Sequence, residues 1–182
     1  MLIPALIFLL GIAIGSFLNV VVFRTHEGEK LTGRSKCIKC EIPVGYRDLI
    51  PVASFFILKG RCRSCKVSIP WHYPLVELAT GLLFLILFLR YAYELFLPGM
   101  ITPDTMWLFF VRDLIFTSFF VIIFVYDLTH SLILDRFTIP GMIIALILNF
   151  LLGVPVWSML LGGVALGGFF LGQFLLSKGA WV

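Results

Sequence analysis

From Leu2 to Phe23 the chain runs 22 residues without a single charged side chain. At 1.5 Å per residue a helix of that length covers a hydrocarbon core of about 30 Å, and no other backbone arrangement of one segment satisfies its own hydrogen bonds there. The stretch therefore reads as a membrane-spanning helix. A cleaved signal would carry its positive charge ahead of the apolar run, whereas here Arg24 follows it and no small-residue cleavage site closes the segment. Four further apolar runs cover about residues 74–97, 106–126, 137–152 and 156–176. With 60% hydrophobic residues and a mean hydropathy of +1.07, the whole composition is that of a chain with the bilayer as solvent. The expected fold is an all-α polytopic membrane protein of about five transmembrane helices. The fourth run is short, and Arg112 and Asp113 interrupt the third, which could slide toward Leu134.

Residues 24–72, between the first two runs, hold ten of the fourteen Lys and Arg against Glu27, Glu29, Glu41 and Asp48. The positive-inside rule makes this loop cytoplasmic. Counting spans from it puts the N-terminus outside, the 94–104 loop outside, residues 127–136 inside, residues 153–155 outside and Lys178 inside. The net charge of +4 is mostly this loop, which sets topology and touches anionic membrane lipid. Nucleic acid is a poor partner, because the basic residues are not interleaved with aromatics.

All four cysteines fall in the loop, as "CIKC" and "CRSC": Cys37, Cys40, Cys62 and Cys65, two CxxC pairs with 21 residues between them. Each pair spans one edge of a tetrahedron, so the set suits a zinc-ribbon-like Cys₄ site, and surrounding cations favour thiolate. Disulfides suit a reducing compartment poorly, and a thioredoxin-like motif needs one pair in a βαβ setting. A closed shell of four thiolates leaves no position for substrate, so the metal orders the loop.

Within the spans, Gly11 and Gly15 lie four apart and let another helix approach, while Ser16 and Asn19 offer hydrogen bonds to it. Gly163, Gly167, Gly168 and Gly172 read as a second packing ridge. Glu77 sits one turn into the second run, solvated, paired or functional. Arg112 and Asp113 are adjacent and should each find another helix or snorkel. His130 reads as a solvated loop residue. Asp127 and Asp135, in "YDLTHSLILD", stand where lipid gives way to water, and an acid there is a functional candidate by default. Two carboxylates that share a proton can act as base and acid in aspartyl protease chemistry. Eight residues is about 12 Å of helix, too far for Asp127 and Asp135 to be partners; within the chain Glu77 is the acid at the matching depth.

"GIAIGSFLNVVVFR", "RSKCIKC", "CRSC", "YPLVE" and "YDLTHSLILD", in that order, resemble the signature of the type IV prepilin leader peptidases, bifunctional peptidases and N-methyltransferases of the GxGD aspartyl protease class. The resemblance implies an enzyme of the bacterial cytoplasmic (inner) membrane. It cuts the basic leader from type IV prepilins or type II secretion pseudopilins and methylates the new N-terminus with S-adenosylmethionine. It also implies that Asp127 is the first catalytic aspartate, Asp135 a supporting acid, and Glu77 a residue of the methyl-transfer motif in contact with cofactor. Leu134 replaces a proline common before the second acid. The glycines and second catalytic aspartate that follow a stretch like "SKGAWV" in the family are not in the sequence, so a C-terminally truncated chain, inactive as a peptidase, is expected. The implied organisation is a first helix at 1–23, a zinc loop at 24–72 and a helical peptidase region at 73–182. A methyltransferase or pseudopeptidase without proteolysis, and a zinc-loop scaffold, are the competing readings; a transporter would want more polar midplane residues.

Overall fold

The computed structural model describes residues 2–96 and 103–176. The 94–104 loop is therefore described only in part, and Lys178 and the "SKGAWV" stretch lie outside the described residues. Five long helices stand where the apolar runs predict: α1, Leu2–His26; α3, His72–Phe96; α4, Pro103–His130; α5, Asp135–Leu151; and α6, Val156–Leu176. A short helix α2, Ala53–Ile57, and a 3₁₀ turn, Tyr46–Leu49, lie in the loop. Among the described residues α1, α3 and α4 are long and apolar enough to cross a membrane, which marks a multi-pass membrane protein. At 17 residues α5 is the shortest of the five, as its sequence run indicates. The helix α4 runs on past Tyr126 toward Leu134 and stops at His130.

Two compact units divide the chain, residues 1–139 and 140–182. In the first, α1 packs chiefly on α3, and α4 lies against both. Glycine makes the α1–α3 contact. A Cβ on Gly11 would stand 2.8 Å from the Gly81 Cα, and one on Gly15 would stand 2.9 Å from the Glu77 Cα and from the Thr80 Oγ1. From the other side a Cβ on Gly81 would strike the Ile12 side chain at 2.7 Å. The two backbones thus approach as only small residues permit. Thr80, fully buried at the crossing, returns its hydroxyl proton to the Val76 carbonyl at 2.7 Å, leaving no polar atom exposed to hydrocarbon. Beside it, Leu18, Val21 and Val22 of α1 meet Ile122, Val125 and Tyr126 of α4 in one buried cluster.

Two expectations about the spans change. Arg112 and Asp113 do pair with each other, the guanidinium Nε and NH2 lying 2.9 and 2.8 Å from the Asp113 Oδ1. The long arginine stem curls back along its own helix, which sequence spacing alone does not reveal. Asp113 also reaches a second helix, accepting a 2.7 Å hydrogen bond from the Tyr91 hydroxyl, and Arg112 lies over the Phe109 and Phe116 rings. The second glycine ridge is the other change: among the described residues nothing lies within 4 Å of a Cβ added at Gly163, Gly167, Gly168 or Gly172.

Replacing Gly15 by leucine should therefore lower the stability of the first unit by roughly 1–3 kcal/mol through overpacking, whereas Gly163→Leu should cost less than about 0.5 kcal/mol. Denaturant unfolding in mixed micelles, followed by helical circular dichroism, measures both.

Candidate functional site

The residues between α1 and α3 fold as two like knuckles. In the first, the Cys37 amide donates to the Ile42 carbonyl at 3.1 Å and the Glu41 amide to the Cys37 carbonyl at 2.9 Å; in the second, Cys62 donates to Val67 at 2.8 Å and Lys66 to Cys62 at 3.1 Å. An isolated antiparallel bridge closes each, Lys36 with Pro43 and Arg61 with Ser68. The residue after each second cysteine, Glu41 or Lys66, takes a left-handed φ of 56° or 58°, which turns the chain so that both sulfurs of a pair face inward. The Asp48 carboxylate, in the 3₁₀ turn that follows the first knuckle, ties that turn to the second knuckle, taking hydrogen bonds of 2.8 and 2.6 Å from the fork of Arg63. That cation holds the Asp48 carboxyl below its usual range.

The four sulfurs lie within 4.8 Å of one another, with Cys37 and Cys65 3.7 Å apart. A tetrahedron of four thiolates at 2.3 Å from a metal has an edge of about 3.8 Å, so the cluster needs little movement to close on one ion. Backbone amides of Cys40 and Lys39 draw the Cys37 thiol down to about 6. Cys40 is pushed the other way, to about 11: the Ile42 amide favours its thiolate, but desolvation and the sulfurs of Cys37, Cys65 and Cys62 outweigh that. Without metal Cys37 and Cys40 thus differ in protonation, and a metal must displace the proton that Cys40 keeps.

Under the knuckles a cavity of about 960 Å³ reaches down to the ends of α1 and α3, with Ser16, Asn19, Phe23, Tyr73 and Glu77 in its wall. Asn19 of α1 donates to the Tyr73 carbonyl at 3.0 Å, fixing the start of α3. Glu77 is buried, and its Oε2 accepts the Val52 amide at 2.6 Å. Val52 is the centre of a tight turn, φ 60° and ψ −55°, closed by a 2.6 Å bond from the Ala53 amide to the Pro51 carbonyl. A β-branched residue is strained in that turn, and the carboxylate of the span holds it in place. Arg24 ties down the other end of the loop, giving its guanidinium protons to the carbonyls of Lys30, Leu31 and Gly33. Sequence reasoning missed Arg24 and Val52 as parts of the site. For Arg24 the signal was a buriable cation directly after a span; Val52 carries none.

Asp127 lies in the last turn of α4. Val125 and Tyr126 point into the α1–α4 cluster, so the next residue turns outward and Asp127 is exposed. Among the described residues no hydrogen bond or ion pair joins its carboxylate to Glu77. One turn on, His130 is not simply solvated: its ring stacks on His26 of α1, centroids 3.7 Å apart and planes within 8°, pinning the ends of α1 and α4 together. Asp135 opens α5, where the partial positive charge of a helix N-terminus favours a carboxylate. The structure thus gathers the four cysteines into one cluster, brings Cys37 and Cys62 of it and Glu77 into the wall of one cavity, and keeps Asp127 and Asp135 on the ends of consecutive helices.

Residues 9–91 match the family model described as the bacterial peptidase A24 N-terminal domain. The prepilin leader peptidase/N-methyltransferase of Myxococcus xanthus is 36% identical over 164 residues, 88% of this chain and 44% of the relative. Those of Klebsiella pneumoniae and Neisseria gonorrhoeae are 38% identical over 150 residues, 79% and 60% of the two chains, and 31% identical over 182 residues, 86% and 59%. By sequence the chain belongs with the prepilin leader peptidases. It spans about half the length of the curated relatives it matches. No solved structure matches it significantly.

Cobalt(II) added to the metal-free protein should give the thiolate charge-transfer absorption of a tetrahedral sulfur site, lost in Cys37→Ser and in Cys65→Ser. Because Cys37 protonates as pH falls through about 6 and Cys40 releases its proton only to metal, affinity should rise with pH. Titrations at about pH 7 and about pH 5 should differ by at least about tenfold per unit.

Proposed function

We propose that the chain is the membrane and metal-loop region of a prepilin leader peptidase and N-methyltransferase, serving type IV prepilins or type II secretion pseudopilins in the bacterial inner membrane. The orientation follows from the basic loop: N-terminus outside, residues 24–72 in the cytoplasm, and Asp127 and Asp135 on that same face. Zinc is the resident metal of the four cysteines, where it orders the loop over the cavity. Residues 1–23, 24–72 and 73–182 act as anchor, metal loop and peptidase region.

The observation that carries the methyl-transfer half is the cavity, roofed in part by the knuckles and carrying a buried carboxylate below. S-adenosylmethionine supplies a methyl group from a sulfonium cation, and the lining suits it: Phe23 and Tyr73 give apolar and aromatic wall, and Glu77 gives a countercharge. Glu77 would hold the incoming α-amine and take up its proton as the N–C bond forms. In the peptidase half Asp127 serves as one carboxylate of the aspartyl pair, activating water at the scissile carbonyl, and Asp135 sets the start of α5 behind it. Its place at the end of a span suits a substrate whose hydrophobic helix lies in the bilayer and whose basic leader stays in the cytoplasm.

The complete gene product, assayed on a prepilin in membrane vesicles, separates the roles. Asp127→Asn should lower leader cleavage by at least about a hundredfold, and retained cleavage overturns the assignment. Glu77→Gln keeps an acceptor for the Val52 amide and removes the charge; it should abolish methylation while leaving cleavage within about twofold. Full methylation by Glu77→Gln would reduce Glu77 to a tether of the loop.

A further inference from the structure

The second knuckle forms another cavity, of about 620 Å³, away from Glu77. One side is aromatic: Phe56 of α2 and Trp71, the residue before α3, stand with ring centroids 6.3 Å apart and are 59% and 62% exposed. The other side is cationic, with Lys59 and Arg61 in the wall together with the Ser68 hydroxyl. A left-handed pair of residues brings the cations there. After α2, Lys59 and Gly60 take φ values of 53° and 65°, the Gly60 amide bonds back to Phe55 at 2.8 Å, and the Ile69 amide bonds to the Gly60 carbonyl at 2.7 Å. Neither Lys59 nor Arg61 has an acidic partner among the described residues.

We propose that this cavity binds one anionic phospholipid of the adjoining leaflet, its phosphodiester on Lys59 and Arg61 and its glycerol and upper acyl carbons against Phe56 and Trp71. The position selects a lipid over a soluble anion. Trp71 runs straight into the membrane-spanning α3, so it lies at the interface depth that tryptophan favours. Its contact with Phe56 brings α2 to the same depth, where Ile57, 69% exposed, also faces outward. Basic side chains at that depth attract anionic headgroups, and the aromatic wall gives the acyl chain a surface that phosphate alone would not use.

Native mass spectrometry of the full zinc-loaded chain, released from micelles with equal phosphatidylglycerol and phosphatidylethanolamine, tests it. The protein should retain one phosphatidylglycerol, and Lys59→Gln with Arg61→Gln should reduce that occupancy roughly tenfold. Lys30→Gln with Lys39→Gln, the same charge change elsewhere in the loop, should leave it unchanged, and Phe56→Ser should weaken it without removing the cations. Equal losses in both double variants would mean diffuse attraction to the basic loop and would overturn the site. So would displacement of the lipid by inorganic phosphate, or retention of phosphatidylethanolamine to the same extent. Intact cobalt absorption in each variant shows that the knuckles still fold.

Discussion

Backbone contact between α1 and α3 is what everything else hangs on. In water the exposed leucines of these helices would hold the bundle together by hydrophobic burial, but lipid is as apolar as leucine, so association must come from close packing and hydrogen bonds. Gly11 and Gly15 on one helix and Gly81 on the other remove the side chains that would keep the backbones apart. The crossing puts Asn19 in reach of the Tyr73 carbonyl and sets Glu77 beneath the loop. The floor of the large cavity is therefore a consequence of helix packing, and the cysteine knuckles supply its roof.

The roof and floor are joined at two points that differ in kind. Arg24 gathers three carbonyls, an arrangement that pulls a loop against a helix end without asking for any particular loop sequence. Glu77 takes a single amide, from a residue that is strained where it sits. Strain of this sort persists where the surroundings over-determine it, and here they are the carboxylate on one side and the 3₁₀ turn and α2 on the other. Glu77 thus ties a membrane helix to the start of the segment that carries Phe56 and Lys59.

Much of this was legible from the residues. The five helices follow the five apolar runs, because length and apolarity decide what can cross a bilayer. The sulfur cluster follows from cysteine spacing, because two CxxC turns can present four sulfurs in few other ways. The Gly11–Gly15 face was readable for the same reason, as a short-range pattern with one common physical use. What was not legible depends on distant parts of the chain or on side-chain length. The stack of His26 on His130 joins residues more than a hundred positions apart, and the Arg112–Asp113 pair depends on how a flexible stem folds. The pattern Gly163, Gly167, Gly168, Gly172 shows the limit from the other direction, since a face suited to close approach says nothing of what approaches it.

The placement of Asp127 carries the last step. Of the residues at the end of α4, Val125 and Tyr126 are taken up by packing on α1 and His130 by its stack on His26, so the helix end is held on one side and Asp127 is left on the other. An acid that merely closed a membrane helix could occupy any exposed position in the last turn. This one sits on an end held by a buried tyrosine and a stacked histidine, with the next helix started by a second acid directly after a short break, residues 131–134. A rigid mount for an exposed carboxylate contributes nothing to the core that a shorter polar residue would not. It does fix the backbone from which Asp127 projects, and the proposed role of Asp127 as one of an aspartyl pair calls for a carboxylate presented from a held backbone.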